Sequence, residues 1–378
     1  MKRTLTFFAA ATALTLSSCC NEPQLTLSGL NPADFEAEID GQQLKLYTLT
    51  NASGMEITVT PFGGRIVSIM APDRTGVMRD VVLGFDKLSD YQTIPSDFGA
   101  AIGRYANRIG QGKFTLDGVE HQLPQNNFGH CLHGGPNGWQ YKIYEVEQVS
   151  ENAITLVMHS PDGDEQFPGN VVAKVTYTLT DDNALDIAYE ATTDAPTIIN
   201  LTNHNYFNLA GEPSKTILND VLQIDADTFT PCDETFMTTG EIAPVEDTPM
   251  DFRVPKMIGA EINNYDYAQL KNGNGYDHNW VLNAAGDLTK PAVVLFSPAS
   301  GISLTVYTSE PGIQVYTGNF LDGTVTGKGG VVYNQRAAIC LETQKYPDTP
   351  NKPEWPSCVL RPGETYTSRC IYQFGIVE

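Results

Sequence analysis

Two stretches of this 378-residue chain carry side chains suited to moving protons. Residues 200–209 (NLTNHNYFNL) set His204 among four asparagines and beside Tyr206 and Phe207. An imidazole titrates near neutrality, so position 204 suits a general acid. Residues 339–344 (ICLETQ) carry Glu342 near the end of an apolar run. In strict alternation Glu342 shares a face with Cys340 and opposes Leu341. If that face lines a cleft, burial raises the carboxyl's proton affinity toward what a general base needs. A salt-bridged carboxylate at a strand edge is the plain alternative.

Three further polar clusters surround these two in composition. Residues 102–109 (IGRYANRI) hold Arg104, Asn107 and Arg108 close to glycine. A guanidinium fork can grip neighbouring hydroxyls, and surface ion pairing is the alternative. Residues 130–135 (HCLHGG) place two histidines around a cysteine. No second cluster has ligand spacing, so a metal site is disfavoured, and His133 is read as a donor into a cleft or as a structural histidine. Residues 277–280 (DHNW) put Asp277 near Trp280, a pairing that grips hydroxyls and stacks a sugar ring. The asparagines at 200, 203, 205 and 208 are costly to bury alone, so they support one another or face a polar ligand. Tyr206 and Phe207 could lie on a sugar's apolar face. Jointly these groups describe a carbohydrate site.

The elements positioning them read as strands. Period-two patterns or short apolar runs occur at 44–49, 55–60, 66–70, 113–116, 119–123, 143–149, 154–159, 173–180, 184–191, 221–225, 278–282, 292–296, 303–308, 314–317, 337–342 and 366–374. Asp117-Gly118 marks a tight hairpin. The best helical segment is 258–265. No repeat or internal linker divides the chain. The fold class is all-β, a large antiparallel sandwich forming one domain over 41–378.

The first residues look like an export signal. Met1-Lys2-Arg3 precedes an apolar run over 5–16, too short to span a membrane as a mature helix. Ser17-Ser18-Cys19 resembles a lipoprotein processing site, with an ordinary signal peptide as the alternative. Residues 1–18 are read as the leader and 19–40 as a polar tether. The protein is then expected in the bacterial periplasm or anchored to a membrane only through lipid on Cys19. The chain's net charge is −22, and removing Lys2 and Arg3 leaves 21 basic against 45 acidic residues, near −24. Such a surface repels nucleic acid and anionic lipid. Cysteines 131, 232, 340, 358 and 370 are widely spaced and form no CxxC motif. Most are expected to be small buried apolar residues, with one pair such as Cys358–Cys370 open to oxidation.

Six colinear segments resemble the aldose 1-epimerase (galactose mutarotase) family. They are GRYANRI (103–109), LHGG (132–135), TNHNYFNL (202–209), DHN (277–279), GIQVYTGNFL (312–321), and LETQ with PD (341–344, 347–348). They span about residue 44 to the C-terminus. The resemblance implies a supersandwich with an open cleft. It implies His204 as general acid and Glu342 as general base. Asn107, Arg108, His133, Tyr206, Asp277 and Gln314 become substrate contacts, with Asn205 beside the acid as a further candidate. Arg104 matches the motif without being a direct ligand. The lipoprotein-like start departs from the family's cytosolic members.

The implied reaction interconverts α and β anomers of a free hexose such as galactose or glucose. It requires no metal or organic cofactor, although so acidic a chain is compatible with bound calcium. The partner is a small sugar, and oligomeric state stays open between monomer and weak dimer. Rival readings are a non-catalytic carbohydrate-binding lipoprotein, a glycoside hydrolase using Asp277 with Glu342, and a hexose-phosphate epimerase, which the acidic surface disfavours.

Overall fold

A computed structural model describes residues 24–211, 216–284 and 286–377. The expected leader (1–18) and the expected lipidation site Cys19 lie outside the described residues. Among the described residues, alternating sequence becomes a nine-stranded, a six-stranded and a four-stranded sheet, with several two-stranded ribbons. Every strand pairing in them is antiparallel, as in Ala184–Thr193 against Tyr366–Ile376 and Gly312–Tyr316 against Ile339–Gln344.

The six-stranded sheet runs Tyr206–Phe207, Ile339–Gln344, Gly312–Tyr316, Asp277–Val281, Thr228–Thr230, Ala243–Pro244. One of its faces is apolar. Ile339, Leu341, Ile313, Val315, Phe207 and Trp280 enter the main core together with Ile187 and Tyr372 of the nine-stranded sheet. The Tyr372 hydroxyl donates to the Leu341 carbonyl at 2.7 Å, tying the two sheets across that core. The opposite face carries Cys340, Glu342, Gln314, Tyr316, Asp277 and Asn279, because side chains alternate along each strand. The polar stripe exists because the other face already fills the sandwich.

The expected tether is folded from residue 24 onward. Asn31 caps a short 3-10 turn at Pro32–Phe35, and Phe35 and Leu30 are buried against the second core, where Phe35 meets Tyr91. Ala37–Ile39 pairs with Gln42–Leu44. Leu30 and Phe35 are isolated apolar residues without periodicity, so their burial left no pattern to read. The expected helix at 258–265 reduces to a 3-10 turn at Ile258–Ala260. Further on, the Asn264 amide donates to the Glu261 carbonyl and the Tyr265 amide to the Asn263 carbonyl, so turn bonds stand where helical bonds to the fourth residue back would be. Two short α-helices form instead at Leu88–Thr93 and Ala268–Asn272. The hairpin at 117–118 forms as expected, joining Lys113–Leu116 to Val119–Gln122. The five described cysteines are unpaired and buried, and Cys358 and Cys370 lie in different core clusters. No helix among the described residues is long and apolar enough to cross a membrane.

Candidate active site

The cleft opens on the polar face of the six-stranded sheet. Register fixes its floor: Gln314 lies opposite Glu342 on one side and opposite Asn279 on the other, and Asp277 lies opposite Tyr316. The Gln314 side-chain amide donates to Asp277 Oδ1 at 2.7 Å. Glu342 is 2 % exposed. Its Oε2 has no hydrogen-bond partner among the described residues.

His204 arrives from another ribbon. Thr202–His204 pairs with Ala100–Ile102, and the Gly99 amide donates to the His204 carbonyl at 3.0 Å. Its Nε2 stands 3.5 Å from Glu342 Oε1. The Tyr206 ring stacks on the imidazole with centroids 5.0 Å apart. The neighbouring asparagines are mostly braces: Asn200 donates to the Ala106 carbonyl, Asn203 to Gly99 and Asn208 to Ala337.

The 103–109 and 130–135 segments interlock along the wall. The His133 amide donates to the Asn107 carbonyl at 3.1 Å, and the Asn107 amide donates to His133 Nδ1 at 3.1 Å. With Nδ1 accepting, the neutral ring carries its proton on Nε2. Gly134 permits this contact: its φ is +81°, and a Cβ there would stand 2.2 Å from the Gly103 carbonyl oxygen. Arg108 is anchored through Nε and Nη2 to Asn127 Oδ1, at 3.1 and 3.0 Å, and lies over the Phe236 ring.

Eight of the nine expected site residues line this one cleft: Asn107, Arg108, His133, His204, Tyr206, Asp277, Gln314 and Glu342. Asn205 does not. It is buried, and alternation between His204 and Tyr206 turns it away from the opening. Arg104 also points away, donating to the carbonyls of Pro168 and Gly169. Two expected stacking residues are core instead. Phe207 packs on Tyr372, and Trp280 is buried with its indole N–H on the Met250 carbonyl. His130 is a loop tie, accepting from the Gln111 amide on Nδ1 and contacting the Thr235 hydroxyl through Nε2.

The sequence reading missed Asp97, Asn127, Phe128, Leu132, Tyr316 and Phe320 in the lining. Tyr316 was accessible, since it alternates with Gln314. Leu132 sits on the short strand Cys131–Leu132, and the others reach the cleft from loops. Phe128 and Phe320 are 60 % and 52 % exposed and flank Phe236, forming an aromatic rim.

Burial moves the proton affinities of the two proton-bearing groups in opposite directions. Burial raises Glu342 well above an ordinary carboxyl, helped by Asp277 and Asp97 and opposed by Arg108. Burial lowers His204, with Asp97 opposing. Both shifts favour the uncharged form of each group. Burial, His204 and Arg108 all hold His133 neutral.

A buried imidazole beside a buried carboxyl, with arginine, asparagine, glutamine and aspartate side chains around them on an antiparallel sandwich, can exchange protons with a small polar ligand. The family model for aldose 1-epimerase matches residues 45–373. Galactose mutarotase of Mus musculus is 43 % identical over 322 residues, covering 85 % of this chain and 92 % of that protein. Aldose 1-epimerase of Escherichia coli (strain K12) is 41 % identical over 338 residues, covering 89 % and 96 %. An aldose epimerase homologue from C. elegans superposes with a TM-score of 0.80 at 33 % identity, covering 89 % of this chain and all of that one. Galactose 1-epimerase from Lactobacillus acidophilus NCFM gives 0.79 at 29 %, covering 91 % and 98 %. The chain belongs to the aldose 1-epimerase family.

Proposed function

We propose that Glu342 and His204 open and reclose a free hexose, the step by which an aldose 1-epimerase interconverts α and β anomers. Glu342 takes the proton of the anomeric hydroxyl. The C1–O5 bond breaks as the C1 carbonyl forms, and His204 gives its proton to O5. Rotation about C1–C2 presents the other carbonyl face. Closure reverses both transfers, so protons balance over the cycle. The observation carrying this reading is the 3.5 Å approach of His204 Nε2 to Glu342 Oε1 inside the cleft. Each group can then take one of the two oxygens on the anomeric carbon.

His133 offers Nε2–H as a neutral donor beside His204, whose ring centroid is 5.2 Å away. Asn107, Arg108, Tyr206, Asp277 and Gln314 hold and orient hydroxyls. Asn205 lies behind the wall, its backbone N–H donating to Asn203 Oδ1. The names of the mouse and bacterial relatives support galactose as a substrate.

No metal enters this scheme. Asp97, His133 and His204 offer ligand atoms within 4.8 Å of one another, as do His204, Cys340 and Glu342. The first set is a poor fit, because His133 carries its proton on the nitrogen left free for a metal. In the second, burial keeps the Cys340 thiol protonated.

The protein should speed the polarimetric decay of freshly dissolved α-D-galactose or α-D-glucose. No acceleration above the buffer rate would leave a sugar-binding protein instead.

The same proposal places the enzyme outside the cytoplasm, lipidated on Cys19 after removal of residues 1–18. Its support is the basic start, apolar run and Ser-Ser-Cys of the sequence. Cys19→Ala should move the protein from the membrane to the soluble fraction. An unchanged distribution would remove the anchor.

A further inference from the structure

A third carboxylate, Asp97, faces the cleft alongside Glu342 and Asp277. Its loop is fastened on both sides. Arg65 donates to the Phe98 carbonyl at 2.8 Å and to the Ser96 and Gln140 carbonyls at 2.9 and 2.8 Å. Gly99 follows with φ +68°, and a Cβ there would stand 1.9 Å from the Ile66 carbonyl oxygen. Asp97 is therefore held in place, and its Oδ1 is buried without a hydrogen-bond partner among the described residues. The side chain as a whole is only half-buried and lines the cleft, where its carboxylate can accept from a ligand hydroxyl. Its carboxylate joins His133 and His204 within 4.8 Å, whereas Glu342 joins His204 and Cys340 at that range. Asp97 and Glu342 thus approach the imidazole from different parts of the cleft.

That placement has a consequence for substrate choice, which rests on the roles given above to Glu342 and His204. In a pyranose the ring oxygen bonds only C1 and C5. Glu342 marks the C1 side. A group beyond His204 faces C5 and its substituent. We propose that Asp97 accepts a hydrogen bond from the C6 hydroxyl of a hexose and selects aldoses carrying a free primary hydroxyl there. Pentoses and 6-deoxy sugars leave its oxygen unpaired. A C6 carboxylate or phosphate meets like charge. The competing role is electrostatic support of His204, whose protonated form Asp97 favours. That support would act on every aldose alike.

The test is the polarimetric kcat/KM for D-galactose, D-fucose (its 6-deoxy form), L-arabinose (which lacks C6) and D-galacturonate. Ratios are taken on one preparation of full-length protein, so a partly unfolded fraction cancels. Wild type should favour D-galactose over D-fucose and L-arabinose by at least about 10-fold. Asp97→Ala should narrow both ratios toward one, and Asp97→Asn should raise galacturonate relative to galactose. Equal loss on every sugar, leaving the ratios unchanged, overturns the proposal in favour of support to His204. No wild-type preference for the C6 hydroxyl overturns it as well. Absence of wild-type activity on all of these sugars would instead defeat the anomer-interconverting reading, and this proposal with it.

Discussion

Nε2 of His204 and Oε1 of Glu342 are 3.5 Å apart, on side chains only 6 % and 2 % exposed. The separation is slightly longer than a hydrogen bond, so neither group is committed to the other. Both come from buried positions on paired strands, which limits their motion. Glu342→Gln and His204→Asn should each lower kcat by about 10²–10⁴-fold. Polarimetry gives the rates and circular dichroism the fold. A folded variant retaining near-full activity takes its residue out of the chemistry.

The pH dependence follows from one proton shared by the pair. The proposed scheme needs one exchangeable proton on the pair, and burial displaces Glu342 upward and His204 downward. Activity should fall on the acid side as a second proton binds, and on the alkaline side as the last is lost. The kcat/KM profile between about pH 4 and 10 should be bell-shaped. A profile with one limb would separate the two groups.

Stability should respond to the same burial with opposite signs. The folded state holds Glu342's proton above the ordinary 4.5, so it binds more protons than the unfolded chain as pH rises past that value. The stability present below pH 4.5 is then lost as pH climbs through the raised value. His204 is held below 6.5, so its contribution is present above that pH and lost as pH falls. Glu342→Gln should therefore gain melting temperature over wild type with rising pH, and His204→Asn with falling pH. A difference independent of pH in either variant would refute the assigned shift.

The two arginines of one motif should fail differently. Arg104 satisfies the Pro168, Gly169 and Ser160 carbonyls from a buried position. Arg104→Ala should cost more than about 3 kcal/mol of stability by leaving several acceptors unpaired. Arg108 meets Asn127 and the cleft. Arg108→Ala should lower kcat/KM by about 10²-fold through misplaced hydroxyls. Chemical denaturation and steady-state kinetics separate the outcomes, and similar profiles for both variants would contradict the division.

Much of the architecture was readable because antiparallel strands with one buried face alternate. The 314–317 and 337–342 patterns marked the strands, parity put Glu342 on the face of Cys340, and Gln314 came from the family resemblance. The residues that misled were those whose environment depends on a distant neighbour. Trp280 and Phe207 have the chemistry of sugar-stacking rings, but their parity faces the nine-stranded sheet. The 24–40 segment looked like a tether because Leu30 and Phe35 show no period.

The site divides along the same line. Local sequence determined which proton carriers and hydroxyl grips the chain possesses, since residue type and strand parity are local properties. Only the tertiary structure decided that His204 and Glu342 meet, that the Asn107 amide fixes the proton of His133 on Nε2, and that Asp97 joins them from a loop clamped by Arg65. Register between strands and the closing of loops depend on contacts between distant segments, and burial at those contacts then sets the proton affinities on which the chemistry depends.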